Sequence, residues 1–424
     1  MDSRLKETWE SCVKCGICRS VCPVFKEEKS EPYVARGHIT LLSELVSGNV
    51  DFSEYEAKDY LYKCLLCTTC VEACPNNSET DTIVEIARHE VIKHHGLPLY
   101  KKIMAILLKD RALMDFAFRN ATLFSSFLFK RNDDSSRASL KTKFETPIME
   151  KGRLIPKLTK KTFLQKYKDY SDNYGYLSLF PGCLINYTYT EIGDAFVNIL
   201  KKLDISFRVP QKQLCCGAPV YFAGNFEDAA ILARKNIDLF SRVNSRYIIV
   251  MEPTCASMIK NDYPKLFMYL EDKEYEKKAR DLAKKVLDPV KFLYDNTDIL
   301  DRLKHLDMKT TYHDPCHLKR AQNIKDEPRA FIKKASNFTE MKEADRCCGN
   351  GGTFSIDYRE TSLKIASRKV EHIENSKADY LVTGCSACIM QLSEILHRHE
   401  DDHIKTIHTL ELIDMALDGG NNEG

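Results

Sequence analysis

Residues 12–23 read CVKCGICRSVCP, and residues 64–75 read CLLCTTCVEACP. Each is C-x2-C-x2-C-x3-C-P, stated twice without a mismatch. Three cysteines at two-residue gaps wrap a tight loop over three corners of one iron–sulfur cube, and the fourth is carried away to the other cube. The spacing predicts one [4Fe–4S] cluster on Cys12, Cys15, Cys18 and Cys74, and a second on Cys64, Cys67, Cys70 and Cys22. The proline after each fourth cysteine cannot donate a backbone hydrogen bond and helps to turn the chain away from the iron. Zinc fits poorly: its sites pair two C-x2-C knuckles into a tetrahedral set, whereas here a third cysteine follows closely in both runs. Two clusters side by side give two one-electron stations and no open position for a substrate, which points to electron transfer.

Working outward, 41 residues (Pro23 to Lys63) separate the two runs. Tyr33 to Val46 carries apolar residues at helical spacing, as does Thr82 to Ile92 after the second run. So helical a gap sets residues 1–100 apart from the compact β-rich bacterial ferredoxin. They resemble the α-helical ferredoxin domain of succinate dehydrogenase-type iron–sulfur subunits. Trp9 is expected to pack beside the first cluster motif.

The whole chain has 424 residues, room for two or three domains at roughly 100–200 residues each. It is 43% hydrophobic and 29% charged, as soluble globular proteins are, and its net charge of +2 gives no reason to expect nucleic acid. Seventeen cysteines is an odd number, so they cannot all pair into disulfides within one chain. Met1 leads into the charged run Asp2, Arg4, Lys6, Glu7, unlike a secretory signal. The cysteines then read as metal or redox ligands in a reducing, cytoplasmic setting. No stretch reaches the ~20 apolar residues of a membrane-spanning helix. Any attachment to the inner face of the cell membrane is expected to be peripheral.

Residues 101–172 read as a helical segment and a linker. Ile103, Ile106, Leu107, Leu113, Phe116, Leu123 and Phe127 are spread among Lys101, Lys102, Lys109, Arg111, Arg119, Lys130 and Arg131. This is either a helical pair packed on its own domain or a basic amphipathic surface for a membrane or partner subunit. Residues 132–172 are polar, broken by Pro147 and Pro156, and look like a linker or an extended arm.

From residue 173 the chain repeats itself. Phe180-Pro181-Gly182-Cys183 corresponds to Asp314-Pro315-Cys316, Cys215-Cys216-Gly217 to Cys347-Cys348-Gly349, and Cys255 to Cys385, at offsets of 130 to 133 residues. Short β-rich runs at Tyr176–Phe180, Arg246–Met251 and Tyr380–Thr383 lead into cysteines, and helical patterns such as Ile192–Leu203 and Ala229–Val243 lie between them. Strands alternating with helices predict two tandem α/β units, 173–300 and 301–424, with largely parallel sheets and ligands at the carboxyl ends of strands. In the second unit five thiols are expected to converge from three strand ends. Adjacent cysteines suit a multi-iron cluster better than one zinc, and the following glycines allow close backbone approach.

The pattern C…CCG…C-x2-C, duplicated behind an α-helical ferredoxin domain, resembles the cysteine-rich (CCG) iron–sulfur family. The strings FPGC at 180–183, YHDPCH at 312–317 and CCGNGGTFS at 347–355 carry the likeness. Its members include the catalytic subunits of heterodisulfide reductases, the iron–sulfur subunits of glycolate oxidase and lactate dehydrogenases, and an iron–sulfur subunit of anaerobic glycerol-3-phosphate dehydrogenase. The resemblance implies a noncubane [4Fe–4S] cluster on Cys316, Cys347, Cys348, Cys385 and Cys388. The first repeat departs from the pattern: Met258 stands where the last cysteine would be, leaving Cys183, Cys215, Cys216 and Cys255. A thioether is a weak ligand beside a thiolate. These four thiols could hold an iron–sulfur cluster, hold zinc, or line an empty or structural site. His313 and His317 flank Cys316, either as hydrogen-bonding support or as a proton relay.

Two functions follow. In the first, the chain is the electron-transfer subunit of a respiratory flavin-dependent dehydrogenase of a 2-hydroxy acid (glycolate or lactate), or of glycerol 3-phosphate. Electrons then pass from an FAD-containing partner towards quinone or a membrane subunit. No G-x-G-x-x-G follows a strand here, so the flavin belongs to the partner. In the second, the chain is the catalytic subunit of a heterodisulfide reductase-like thiol/disulfide oxidoreductase using the noncubane cluster.

Overall fold

The computed structural model describes residues 10–418 except 52, 54, 124, 132–139, 147–148 and 172–174; Trp9 lies outside them. Between the cysteine runs the chain is helical. The Ala35–Val46 helix buries Ile39, Leu42 and Leu45, and the Thr80–His95 helix buries Ile83, Ala87 and Val91 against them. Apolar residues three and four apart put each set on one helix face, and the two faces close a small core beneath the cysteine loops.

The described residues of the 132–172 stretch are not the free linker or arm that its composition suggests. Phe129–Arg131 (β1), Leu140–Thr142 (β2) and Leu154–Ile155 (β3) form an antiparallel sheet in the order β1-β2-β3. Beyond it, Phe163 and Leu164 enter the main core, on a short helix whose start is closed by a capping box between Thr162 and Gln165. A few buried anchors outweigh the polar average.

Each repeat holds a four-stranded parallel sheet. The first has Leu177–Phe180 (β4), Phe207–Arg208 (β5), Tyr247–Val250 (β6) and Val286–Leu287 (β7), in the order β5-β4-β6-β7. The second has Lys309–His313 (β8), Asn337–Phe338 (β9), Tyr380–Thr383 (β10) and Lys405–His408 (β11), in the order β9-β8-β10-β11. The topology is the same in both: first strand central, second on one edge, third beside the first, fourth on the far edge. In register, Phe180 lies beside Val250 and His313 beside Thr383, so the strands end level. Parallel strands need crossover connections, and helices such as Thr190–Lys202, Phe226–Ser241, Arg359–Asn375 and Ser386–Arg398 provide them.

The repeats share one core, in which Leu177, Phe196 and Ile199 pack with Tyr312, Val382 and Ile413. Lys202 bonds Asp414 at 2.7 Å across the same junction. The Leu99–Lys109 helix sets Ala105 and Leu108 into the first repeat's core, and Lys109 pairs with Asp228 there. That helix therefore bridges the first repeat and the N-terminal domain, where Ile86 joins the same cluster and Lys101 lies over the Tyr62 ring. Its other face, Leu99, Ile103 and Ile106, is exposed.

Candidate iron–sulfur sites

The two N-terminal loops share one backbone. Lys14 and Gly16 in the first, and Leu66 and Thr68 at the same places in the second, all have positive φ. Left-handed residues at alternate positions turn successive cysteine side chains inward. At Leu66 and the β-branched Thr68 that conformation is strained, and the surrounding contacts must hold it. Cys22, Cys64, Cys67 and Cys70 line one cavity. Cys12, Cys15, Cys18 and Cys74 line its neighbour, with Cys70 on the wall of both. The fourth cysteine of each run thus reaches across to the other run's loop.

Backbone N–H groups point at the sulfurs: Phe25 donates to Cys22, Leu66 to Cys64 and Ser78 to Cys74, each at 3.4 Å. Burial pushes the Cys22 thiol up to about 12 and the Cys64 thiol up to about 11. Thiols crowded this way become thiolates only against a bound cation, and the inward N–H groups suit the resulting negative charge. The donor set fits an iron–sulfur cluster in each cavity.

A third cavity, about 340 Å³, lies where the two repeats face each other. Cys183, Cys215, Cys216 and Cys255 line it from one side, and Cys316, Cys347, Cys348, Cys385 and Cys388 from the other. Cys183, Cys255, Cys316 and Cys385 sit just after β4, β6, β8 and β10, where parallel sheets collect ligands. Cys347 and Cys348 do not lie at a strand end, contrary to expectation. They occupy a loop closed by Gly349 at φ 86°, where a Cβ would stand 2.7 Å from the Ser362 carbonyl oxygen. Two strand ends and one loop, not three strand ends, supply the five thiols.

The thiols form two continuous strings. One runs Cys183–Cys215–Cys216–Cys255. The other runs Cys316–Cys347–Cys348–Cys388–Cys385, with Cys348 and Cys388 sulfurs 3.4 Å apart. Met258 is fully buried at the position matching Cys388, and it opens a π-helical turn, Met258–Asp262.

His313 is fully buried, and its ring lies with the Cys348 and Cys388 sulfurs, the three ligating atoms within 4.8 Å of one another. Burial lowers its pKa, so the neutral ring is favoured. His317 bonds Thr254 Oγ1 through Nδ1 at 2.9 Å, tying the second repeat to the first.

Residues 177–260 and 310–393 each match the cysteine-rich (CCG) domain, and residues 8–78 match a 4Fe–4S dicluster domain. Lactate utilization protein A of Oceanobacillus iheyensis is 32% identical over 246 residues, covering 58% of this chain and 98% of that protein. The chain belongs to the CCG-domain iron–sulfur family. A subunit of the CoM/CoB fumarate reductase of Methanothermobacter marburgensis is 27% identical over 414 residues, 96% of this chain and 72% of that protein. An uncharacterized iron–sulfur protein of Methanococcus maripaludis is 25% identical over 416 residues, with the same coverage. A crystal structure of a hypothetical protein from Helicobacter pylori shares the fold with a TM-score of 0.53 at 10% identity, covering 98% of this chain and 73% of that one.

Two residues at this CCG-domain site escaped the sequence reading. Glu252, buried just after β6, lines the shared cavity and accepts from the Ser386 hydroxyl of the other repeat. Burial pushes its carboxyl up to about 8. An acid directly after a core strand was the available signal. Arg88, on the Thr80–His95 helix, donates to the carbonyls of Leu61, Tyr62, Cys64 and Phe222 at 2.7–3.2 Å. It binds the second cysteine loop to the first CCG repeat. Nothing in the sequence distinguishes it from a surface arginine.

Proposed function

We propose that this chain is the iron–sulfur electron-transfer subunit of a flavin-dependent dehydrogenase of a 2-hydroxy acid, lactate or glycolate, carrying electrons from an FAD-containing partner towards quinone. The observation that carries this reading is that Cys67 and Cys347 lie together in one buried cluster, which brings the N-terminal cysteine sets beside the CCG set. The relative called lactate utilization protein A supports the choice of substrate class.

In this reading Cys12, Cys15, Cys18 and Cys74 hold one [4Fe–4S] cluster, Cys64, Cys67, Cys70 and Cys22 a second, and Cys316, Cys347, Cys348, Cys385 and Cys388 a noncubane one. The four convergent thiols Cys183, Cys215, Cys216 and Cys255 hold a further iron–sulfur group. When bound, these clusters supply stations that accept and release one electron at a time. The chain's own part is positional. Arg88 fixes the Cys64 loop against the first repeat, backbone N–H groups face the sulfurs, and burial of Cys67 and Cys347 keeps water out of the junction. Leu99, Ile103, Ile106 and Phe116, with Lys102 and Arg119, form the face that meets the inner surface of the membrane. Among the described residues no helix is long and apolar enough to cross a membrane.

A second reading is favoured by the cavity that both repeats face: the catalytic subunit of a heterodisulfide reductase-like thiol/disulfide oxidoreductase, with the noncubane cluster on the second repeat's cysteines. Tagged protein purified anaerobically from its host decides between them. The relay reading predicts a co-purifying chain with bound flavin. The second predicts disulfide reduction by this chain alone, given a reduced viologen.

A further inference from the structure

A chamber of about 550 Å³ lies between the N-terminal domain and the first repeat. Glu79, Asp81 and Glu85 face it from one side, and Lys260, Asp262 and Lys265 from the other; Arg280, Arg320 and His317, whose neutral ring burial favours, complete its titratable lining. Thr68 and Asp81 also line the Cys22–Cys64–Cys67–Cys70 cavity, and Leu66, Phe222 and His317 the cavity between the two repeats. The chamber therefore touches both.

Two carboxyls are buried in it, Glu85 at 3% and Asp262 at 6% exposure. Glu85 Oε2 accepts from the Tyr221 hydroxyl at 3.0 Å. The Asp262 carboxylate accepts no hydrogen bond among the described residues; Lys265 and Asp81 act on it, and its own charge acts on Glu85. Lys265 is shared out, since its Nζ donates to Thr82 Oγ1 at 2.7 Å and lies 3.8 Å from Asp81 and 3.9 Å from Glu79. Arg320 is engaged by Glu72 and Asp345. Arg280 pairs with Glu276 and Lys260 is drawn to Asp288, so the divided Lys265 is left to answer Glu79, Asp81, Glu85 and Asp262, and buried like charges cannot all ionise. Burial raises both acids, Asp262 to about 7.

The fold does not require this acid. The matching residue of the second repeat is Leu392, fully buried on the regular Ser386–Arg398 helix. In the first repeat the π-helical turn carries an aspartate at that place instead. Such turns occur often at functional sites.

We propose that Glu85 and Asp262 form a proton-holding site that takes up one proton from solvent when the Cys22–Cys64–Cys67–Cys70 centre gains one electron, and returns it when that electron leaves. The inference rests on the iron–sulfur reading of those cysteines. The electron comes from the flavoprotein partner and the proton from the acid–base pool of bulk solvent, and the only bond made in the protein is the O–H bond on one carboxyl. The added negative charge favours the protonated acid, and the proton in turn favours the reduced centre.

The test is a redox titration of the whole iron–sulfur protein, following each centre by electron paramagnetic resonance at several pH values. The midpoint of the Cys64-loop centre is expected to fall as pH rises through about 7, by up to ~59 mV for each tenfold drop in proton concentration. Glu85→Gln with Asp262→Asn should flatten that dependence, Asp262→Glu should retain it, and the Cys12-loop centre should keep its own profile in all three. A midpoint independent of pH in the unaltered protein, or a slope the double variant leaves intact, overturns the inference. A protein without iron–sulfur signals overturns the cysteine reading beneath it.

Discussion

The thiol of Cys67 meets the thiol of Cys347. One belongs to the second N-terminal loop and the other to the CCG loop of the second repeat. Val24, Leu65, Phe354 and Ile365 bury the pair. The contact brings together the cysteine sets of two domains that the chain separates widely.

If the CCG thiols hold a cluster of their own, Cys348→Ser should cost about one cluster's worth of iron while the N-terminal signals persist. Iron analysis beside low-temperature magnetic resonance reads both. Unchanged iron would sink the noncubane assignment.

Arg88 spends its guanidinium on four carbonyls from two domains. Arg88→Met leaves those acceptors unpaired in a buried junction and should destabilise the protein by about 3 kcal/mol or more. Arg88→Lys should recover little, because an ammonium cannot span the same carbonyls as a planar fork. Urea unfolding checks this, and wild-type midpoints in either variant would contradict it.

His38 is buried, with Nε2 against the Tyr60 carbonyl at 3.1 Å. Burial holds its pKa down to about 4, against 6.5 for an ordinary imidazole. Between those values the unfolded chain binds the proton that the folded one refuses, so stability rises with pH across the window. The contribution is fully present above 6.5 and is lost as pH falls towards 4, amounting to about 3 kcal/mol. His38→Gln should remove that part of the acid sensitivity. Equal losses in both proteins between neutral and acid pH would count against it.

Leu99, Ile103, Ile106 and Phe116 are 49–73% exposed. With basic neighbours they should hold the protein to anionic vesicles, more weakly as salt screens the charges. Ile103→Glu with Ile106→Glu should cut sedimentation with vesicles at least several-fold. A wild-type protein that stays in the supernatant at low salt would refute the membrane contact.

The spacing of the N-terminal cysteines was legible because it records one local loop, and Lys14, Gly16, Leu66 and Thr68 repeat that loop's backbone despite unlike side chains. The duplication was legible from its cysteine landmarks. The edge strands β5, β7 and β9 were not, being two residues long and too short for any period to show. Nor was the packing of Phe163 and Leu164, which the polar composition of their segment hid. The placing of Glu85 and Asp262 in one chamber depends on how two domains dock, which no local pattern encodes.

The most direct test of the account is to ask what reduces the anaerobically purified complex. The relay reading predicts that lactate or glycolate bleaches the iron–sulfur absorbance through a co-purified flavoprotein. Bleaching by a dithiol alone, with no flavoprotein attached and no response to either acid, would contradict it.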